Sequence, residues 1–383
     1  MNNQEAANIL SCAELNIRRL KELVKLLAHL KNLRIEPLLI RGAGLIQTVY
    51  PHPALRVMGD LDLLLKPDDI PAAKSTLIEN GYQPDGASVG HFIKPGAGQT
   101  LRCCDTERPV SDVATAESRR PIGRASRHKG EVRLRATPLA GPNRESIGTL
   151  LDLHWDIWYL KKDEFYNLWN EAVLFNFPAP EQHRGIGIRA KTLAPEEHFI
   201  YIAAHAIFHH GMLDGMRLQD LTNLINPAPP RRGGINYPHG FNWTLLVKKT
   251  KQYQLETPLR IVLEQLQETK NVIIPRGVLK QIRPHRLLSQ LLLIFTLKPN
   301  PLIPQLGYFL KILALRGWWG KARYLLSCLF PSELFMQERY SEERKYSLLR
   351  YRYYLIRPVC LTGQGLRLLT HALLKIGLSG IQL

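Results

Sequence analysis

The stretch RVMGDLDLLL, Arg56 to Leu65, has the composition of a buried strand, yet it carries two aspartates. Leu, Val and Met in a short run pack into cores, whereas a carboxylate is seldom fully buried without a partner. On a strand, alternate residues share a face, so Asp60 and Asp62 project to one side and Leu61 and Leu63 to the other. Gly59, just before them, leaves room for a ligand or a neighbouring backbone. Downstream, LLDLHWDIW (Leu150–Trp158) repeats the device, with Asp152, His154 and Asp156 on one face and Leu151, Leu153 and Trp155 on the other. Set side by side, the two strands would gather Asp60, Asp62 and Asp152 into a cluster of like charges. Such a cluster is unfavourable alone and is stabilised by a divalent cation. Two Mg2+ ions held in this way clamp the attacking and leaving oxygens of an in-line phosphoryl displacement. A D-x-D on its own also fits an edge strand with one wet face, so the context has to decide.

That context lies upstream. LLIRGAG (Leu38–Gly44) places a glycine turn between a short apolar strand and a helix. Backbone N–H groups of Gly42, Ala43 and Gly44, at the positive end of the helix dipole, are suited to a triphosphate. Arg41 or Arg56 would balance its charge. A phosphate cradle, a D-x-D strand and a third carboxylate on a later strand share one mechanism.

With these residues in place, LLIRGAGLIQTVYPHPALRVMGDLDLLL resembles the core of the nucleotidyltransferase superfamily related to DNA polymerase beta. More closely, the chain resembles a bacterial family of uncharacterised nucleotidyltransferases. Members pair a lysine–glycine turn with an arginine a few residues before D-x-D, then show a DLHW-like strand and a helical part with a histidine and an LxDL segment. The matching positions here are Arg41 and Gly42, Arg56, Asp60 and Asp62, Asp152, His154 and Trp155, His205, and Leu218 to Leu221 around Asp220. The superfamily's phosphate-contacting serine is absent, and arginine stands where the family has lysine. The resemblance implies transfer of a nucleoside monophosphate from an NTP to an acceptor. Asp60, Asp62 and Asp152 would be the catalytic and metal-binding residues, for two Mg2+ ions or Mn2+ in their place. Arg41, Gly42, Ala43, Gly44 and Arg56 would bind nucleotide, and His154, His205 and Asp220 would support the site, with His205 packed near Asp220.

Along the chain, apolar residues at Ile17, Leu20, Val24, Leu27 and Leu30 recur at helical spacing. The order helix, strand, helix, strand, helix then predicts an α+β fold: a small mixed-sheet domain over residues 1–160, followed by a mostly helical region. PDDIPAAKSTLIENGY (67–82) reads as a helix with Pro71 near its start and Gly81 past its end. Residues 102–146, rich in Arg, Ser, Pro and Gly, read as a disordered insertion with one strand candidate, EVRLRA. A helical domain over 161–275 would close the cleft, and 276–383 would form a basic, aromatic-rich helical region.

The formal charge of +18 is uneven. Residues 1–101 carry 11 basic and 10 acidic side chains, and residues 276–383 carry 17 and 4. A nucleic-acid reading from overall charge is therefore unsafe. The last third, with RGWWGKARYLL, reads as helix packing with a solvated cationic face, or as a peripheral contact with an anionic membrane surface through Trp318 and Trp319. Nucleic acid is a less favoured partner. Five cysteines without CxxC spacing, and no apolar run of spanning length, predict a cytoplasmic protein, with the inner membrane surface as its alternative site. An adaptor that keeps the fold without turnover is the competing functional class. His205, His209 and His210 invite a zinc reading, because residues four apart share a helical face, but no glutamate follows His205 as in H-E-x-x-H and a third ligand is not evident.

Overall fold

The computed structural model describes residues 3–84, 91–94, 149–177, 188–210, 213–227, 240–284, 310–315, 317–331, 336, 354–359 and 363. The insertion near 102–146 and its EVRLRA strand candidate lie outside these residues, as does most of 276–383.

A long helix α1 (Asn3–Asn32) leads into β1 (Leu38–Ile40), α2 (Arg41–Thr48), β2 (Leu61–Leu64), α3 (Ile70–Glu79), β3 (Gln83–Pro84) and β4 (His91–Lys94). After the insertion come β5 (Thr149–His154), α4 (Lys162–Glu171), β6 (Val173–Asn176) and β7 (Arg189–Thr192). The rest is helical: α5 (Pro195–His205), a π-turn (Ala206–His210), α6 (Gly215–Ile225), α7 (Trp243–Gln252), α8 (Glu256–Lys270), α9 (Arg276–Gln281) and α10 (Trp318–Leu329). Seven strands form one mixed sheet in the order β3-β4-β5-β2-β1-β7-β6. This is the expected α+β architecture. One correction concerns the region 161–275, read as a helical domain: β6 and β7 lie within it and extend the sheet, with β7 parallel to β1. Both strands are four residues long, and RAKT carries too few apolar side chains to announce itself.

Both faces of the sheet are covered, so its central strands are apolar on both sides. Leu61, Leu63, Leu151 and Leu153 pack under Leu23, Leu27 and Leu30 of α1 and Ile70 and Leu77 of α3. Leu38, Ile40 and Leu64 face the opposite layer, where Phe199 and Ile202 of α5 and residues of α6 to α9 complete a second cluster. The α1 stripe differs from expectation at one end. Ile17 is exposed, and its neighbour Asn16 is fully buried. The Asn16 amide donates to the carbonyls of Pro53 (2.7 Å) and Arg56 (2.6 Å), pinning the loop that enters β2. At the far end of α3, Gly81 turns the chain at φ +80°, as its position past the helix end requires.

Candidate active site

Strand pairing builds the site. β2 and β5 run parallel in a register that sets Asp62 opposite Asp152 and Leu64 opposite His154. Asp62 is fully buried, whereas Asp60, just before β2, lines a cleft of about 470 Å3 together with Arg41, Asp152, His154 and Asp156. The alternation read from the sequence therefore holds, but Asp62 does not face open solvent. Arg41 and His154 cover it.

These two cations hold the carboxylates together. The Arg41 guanidinium donates to Asp62 Oδ1 at 2.5 Å, and His154 Nε2 lies 3.1 Å from the same oxygen and 3.2 Å from Asp152 Oδ2. Burial alone would lower the His154 pKa, but its hydrogen bonds to Asp152 and Asp62 outweigh that and push it up to about 9. The ring is then an imidazolium bridging two carboxylates at neutral pH. Burial works against ionised Asp62 too, yet the His154 bond and the Arg41 charge hold its carboxyl below the usual range. Asp60 moves the other way, raised by burial and by the neighbouring charge of Asp62.

The turn after β1 is built differently from the expectation. Arg41 itself adopts the left-handed conformation, at φ +52°, and starts α2. That conformation costs a non-glycine residue roughly 1–2 kcal/mol. The Arg41 N–H donates to His198 Nε2 at 2.8 Å, which helps hold it there. Gly42, Ala43 and Gly44 are buried within the first turn of α2, and the glycines serve close packing. A Cβ on Gly42 would lie 2.5 Å from Arg56 Nη1, and one on Gly44 would lie 2.6 Å from the Leu39 carbonyl oxygen.

Arg56, read as a phosphate ligand, is instead buried in a two-pronged pair with Asp220. Its Nε is 2.7 Å from Oδ1 and its Nη2 is 2.8 Å from Oδ2. Tyr50 donates to the same Oδ1 at 2.6 Å. Asp220 locks Arg56, and His205 lies in the cleft wall. There its ring stacks on His209 with centroids 4.7 Å apart. Asp156 is exposed at the rim of the cleft.

Several residues of this region escaped the sequence reading. His198 is fully buried with no hydrogen-bond partner on Nδ1, and burial, then the Arg56 charge, pull its pKa down to about 3. Arg19 of α1 is buried near Asp60, with Nε and Nη1 unpartnered. Tyr201 lines the cleft and feels the charge of Asp62. Only the i, i+3 and i+4 spacing of apolar residues around His198 marks its inward face. No sequence signal ties Arg19 to Asp60.

A divalent cation fits this donor set. Carboxylate oxygens of Asp62 and Asp152 lie within 4.8 Å of each other, and a cation between them would take the place of the His154 proton that bridges them. Asp62 Oδ2 is buried and has no hydrogen-bond partner, the condition of an oxygen reserved for another ligand. Carboxylate oxygens in a small cluster are the donors that Mg2+ prefers.

A mixed sheet flanked by helices, with D-x-D at the entry to one strand and a third aspartate on its parallel neighbour, is the arrangement of a nucleotidyltransferase-type protein. The family model described as uncharacterised nucleotidyltransferase matches residues 6–271, more than half of the chain, and the chain belongs to that family. Comparison with curated proteins and with solved structures returns no match. Among the described residues, no helix is long and apolar enough to cross a membrane.

Proposed function

We propose that the protein transfers a nucleoside monophosphate from an NTP to an acceptor hydroxyl or phosphate, breaking the bond between the α- and β-phosphates and releasing pyrophosphate. The observation that carries this reading is the β2–β5 register, which stacks Asp62 on Asp152 with Asp60 at the cleft mouth. In this reading Asp60, Asp62 and Asp152 would hold two Mg2+ ions, or Mn2+ in their place, which would supply charge stabilisation to the α-phosphoryl group being transferred. Asp152 takes the proton from the acceptor as general base. Arg41, whose guanidinium lines the cleft, offers positive charge to the triphosphate. His154 orients Asp62 and Asp152, and the buried Asp220–Arg56 pair keeps the entrance to β2 in place. The helical region after β7 closes the cleft and shields the phosphates from water, so that positioning and electrostatics carry the rate.

The test is incubation of the purified full chain with alpha-labelled NTPs, Mg2+ and cell extract. Label transfer that disappears in Asp60→Ala and Asp62→Ala supports the reading. Absence of transfer in the wild type with every NTP sinks it.

A second reading, a nucleotidyltransferase fold that serves as an adaptor on an anionic membrane surface, draws on α10. Trp318 and Trp319 are 64% and 72% exposed, with ring centroids 3.9 Å apart. Vesicle binding that requires both tryptophans, without nucleotide turnover, would favour it.

A further inference from the structure

The helical wall of the cleft carries a histidine cluster that the nucleotidyl-transfer reading does not use. His205 ends α5, and His209 and His210 lie in the π-turn that follows. On an α-helix of 3.6 residues per turn, positions five apart point roughly 140° away from each other. The π-turn removes that divergence, because its wider ring brings residue i+5 back over residue i. His205 Nε2 and His210 Nε2 consequently lie 3.1 Å apart. His209, four residues from His205, stacks on its ring, and His209 and His210 have centroids 4.9 Å apart. One ring nitrogen from each of the three lies within 4.8 Å of the others.

We propose that His205, His209 and His210 form a transition-metal site of the Zn2+ class on the cleft wall, with its fourth position open to the cavity. Three observations support it. A tetrahedral Zn2+ with bonds of about 2.0–2.1 Å spaces its ligand nitrogens by about 3.3 Å, close to the His205–His210 separation. Imidazole nitrogens without carboxylates select Zn2+, Co2+, Ni2+ or Cu2+ over Mg2+, so the site is chemically distinct from the aspartate cluster. Of the cations near the cluster, Arg217 pairs with Asp214, Arg41 pairs with Asp62, and the Lys311 ammonium lies over the Trp158 ring. Three histidines leave a coordination position free, and all three rings line the same cavity as Asp152. That position would take water or an oxygen ligand entering the cleft. The sequence groups the three histidines, and the π-turn brings His210 over His205.

The experiment is titration of the metal-stripped full chain with Co2+, in excess Mg2+, read by visible absorption and followed by Zn2+ displacement. The expected result is one equivalent of Co2+ with d–d bands of four-coordinate nitrogen-rich ligation, displaced by one equivalent of Zn2+. His209→Gln and His210→Gln should each weaken Co2+ binding by at least about tenfold, since even groups one step removed from a metal are worth about that much. Asp152→Asn should leave it unchanged. The exposed ring of His209 makes His209→Gln the variant least able to disturb folding, and thermal melting checks each protein. Absence of the bands in the wild type overturns the proposal. So does binding that Asp152→Asn abolishes while both histidine variants retain it, because the metal then sits in the carboxylate cluster. Neither result depends on nucleotide transfer.

Discussion

His198 couples the stability of this protein to acid through one buried ring. Its Nε2 accepts the Arg41 N–H, so the ring must be neutral to hold the left-handed residue that aims a guanidinium at Asp62. Its ordinary pKa is 6.5, and burial, then Arg56, bring it to about 3 in the folded protein. A depressed folded pKa means that the unfolded chain binds the proton more readily. The associated stability is complete above about pH 6.5 and is lost as pH falls toward 3. Worked through the linkage relation, His198 alone removes about 2 kcal/mol by pH 5 and about 3 kcal/mol by pH 4, relative to pH 8. His205 and His210, also displaced downward, add losses of the same sign, so only a difference isolates His198. His198→Gln supplies a carbonyl acceptor for the Arg41 N–H and has no proton to gain. Urea unfolding of both proteins at pH 8 and pH 5 should show a wild-type loss about 2 kcal/mol larger than the variant's. Parallel losses would refute the claim that His198 is held neutral by its surroundings.

Other perturbations follow from the same geometry. Asp220→Asn leaves Arg56 buried and uncompensated and should cost about 3–5 kcal/mol, read as a lower urea midpoint at constant slope. Gly44→Ala places a methyl against the Leu39 carbonyl and the Thr192 hydroxyl and should cost about 1–3 kcal/mol in the same assay. Lys249→Met strands the buried Glu197, which the lysine and the Tyr253 hydroxyl now satisfy, and should lower the melting temperature by several degrees. Asp152→Asn should reduce nucleotidyl transfer by about 10²–10⁴-fold, because its side chain reaches the cleft and serves the acceptor, and should lower the His154 pKa by removing one of its two carboxylate partners.

Much of the site was legible because strand periodicity is local. Asp60 and Asp62 at spacing two, and Asp152 and His154 at the same spacing, follow from alternation on a pleated strand. The resemblance to nucleotidyltransferases rested on those residues and on the turn before them. Compensation was not legible. Arg41 to Asp62, Arg56 to Asp220 and Arg19 beside Asp60 join positions 21 to 164 residues apart, and a charged residue at the surface of α1 reads the same as one turned inward. The glycines after β1 looked like a phosphate cradle because glycine marks close approach without saying what approaches. Here it is Arg56, Thr192 and the Leu39 carbonyl.

By itself, then, the sequence determined the α+β class, the apolar faces of the central strands and the shared side on which Asp60 and Asp62, and Asp152 and His154, project, since each depends on spacing along a few residues. The tertiary structure decided which charges meet. It gave Asp62 to Arg41 and His154, removed Arg56 from the cleft, continued the sheet through β7, and used a π-turn to bring His210 over His205. Such pairings depend on how distant segments dock, and in a buried, low-dielectric site it is the docked neighbours that set which carboxylate or imidazole keeps its charge.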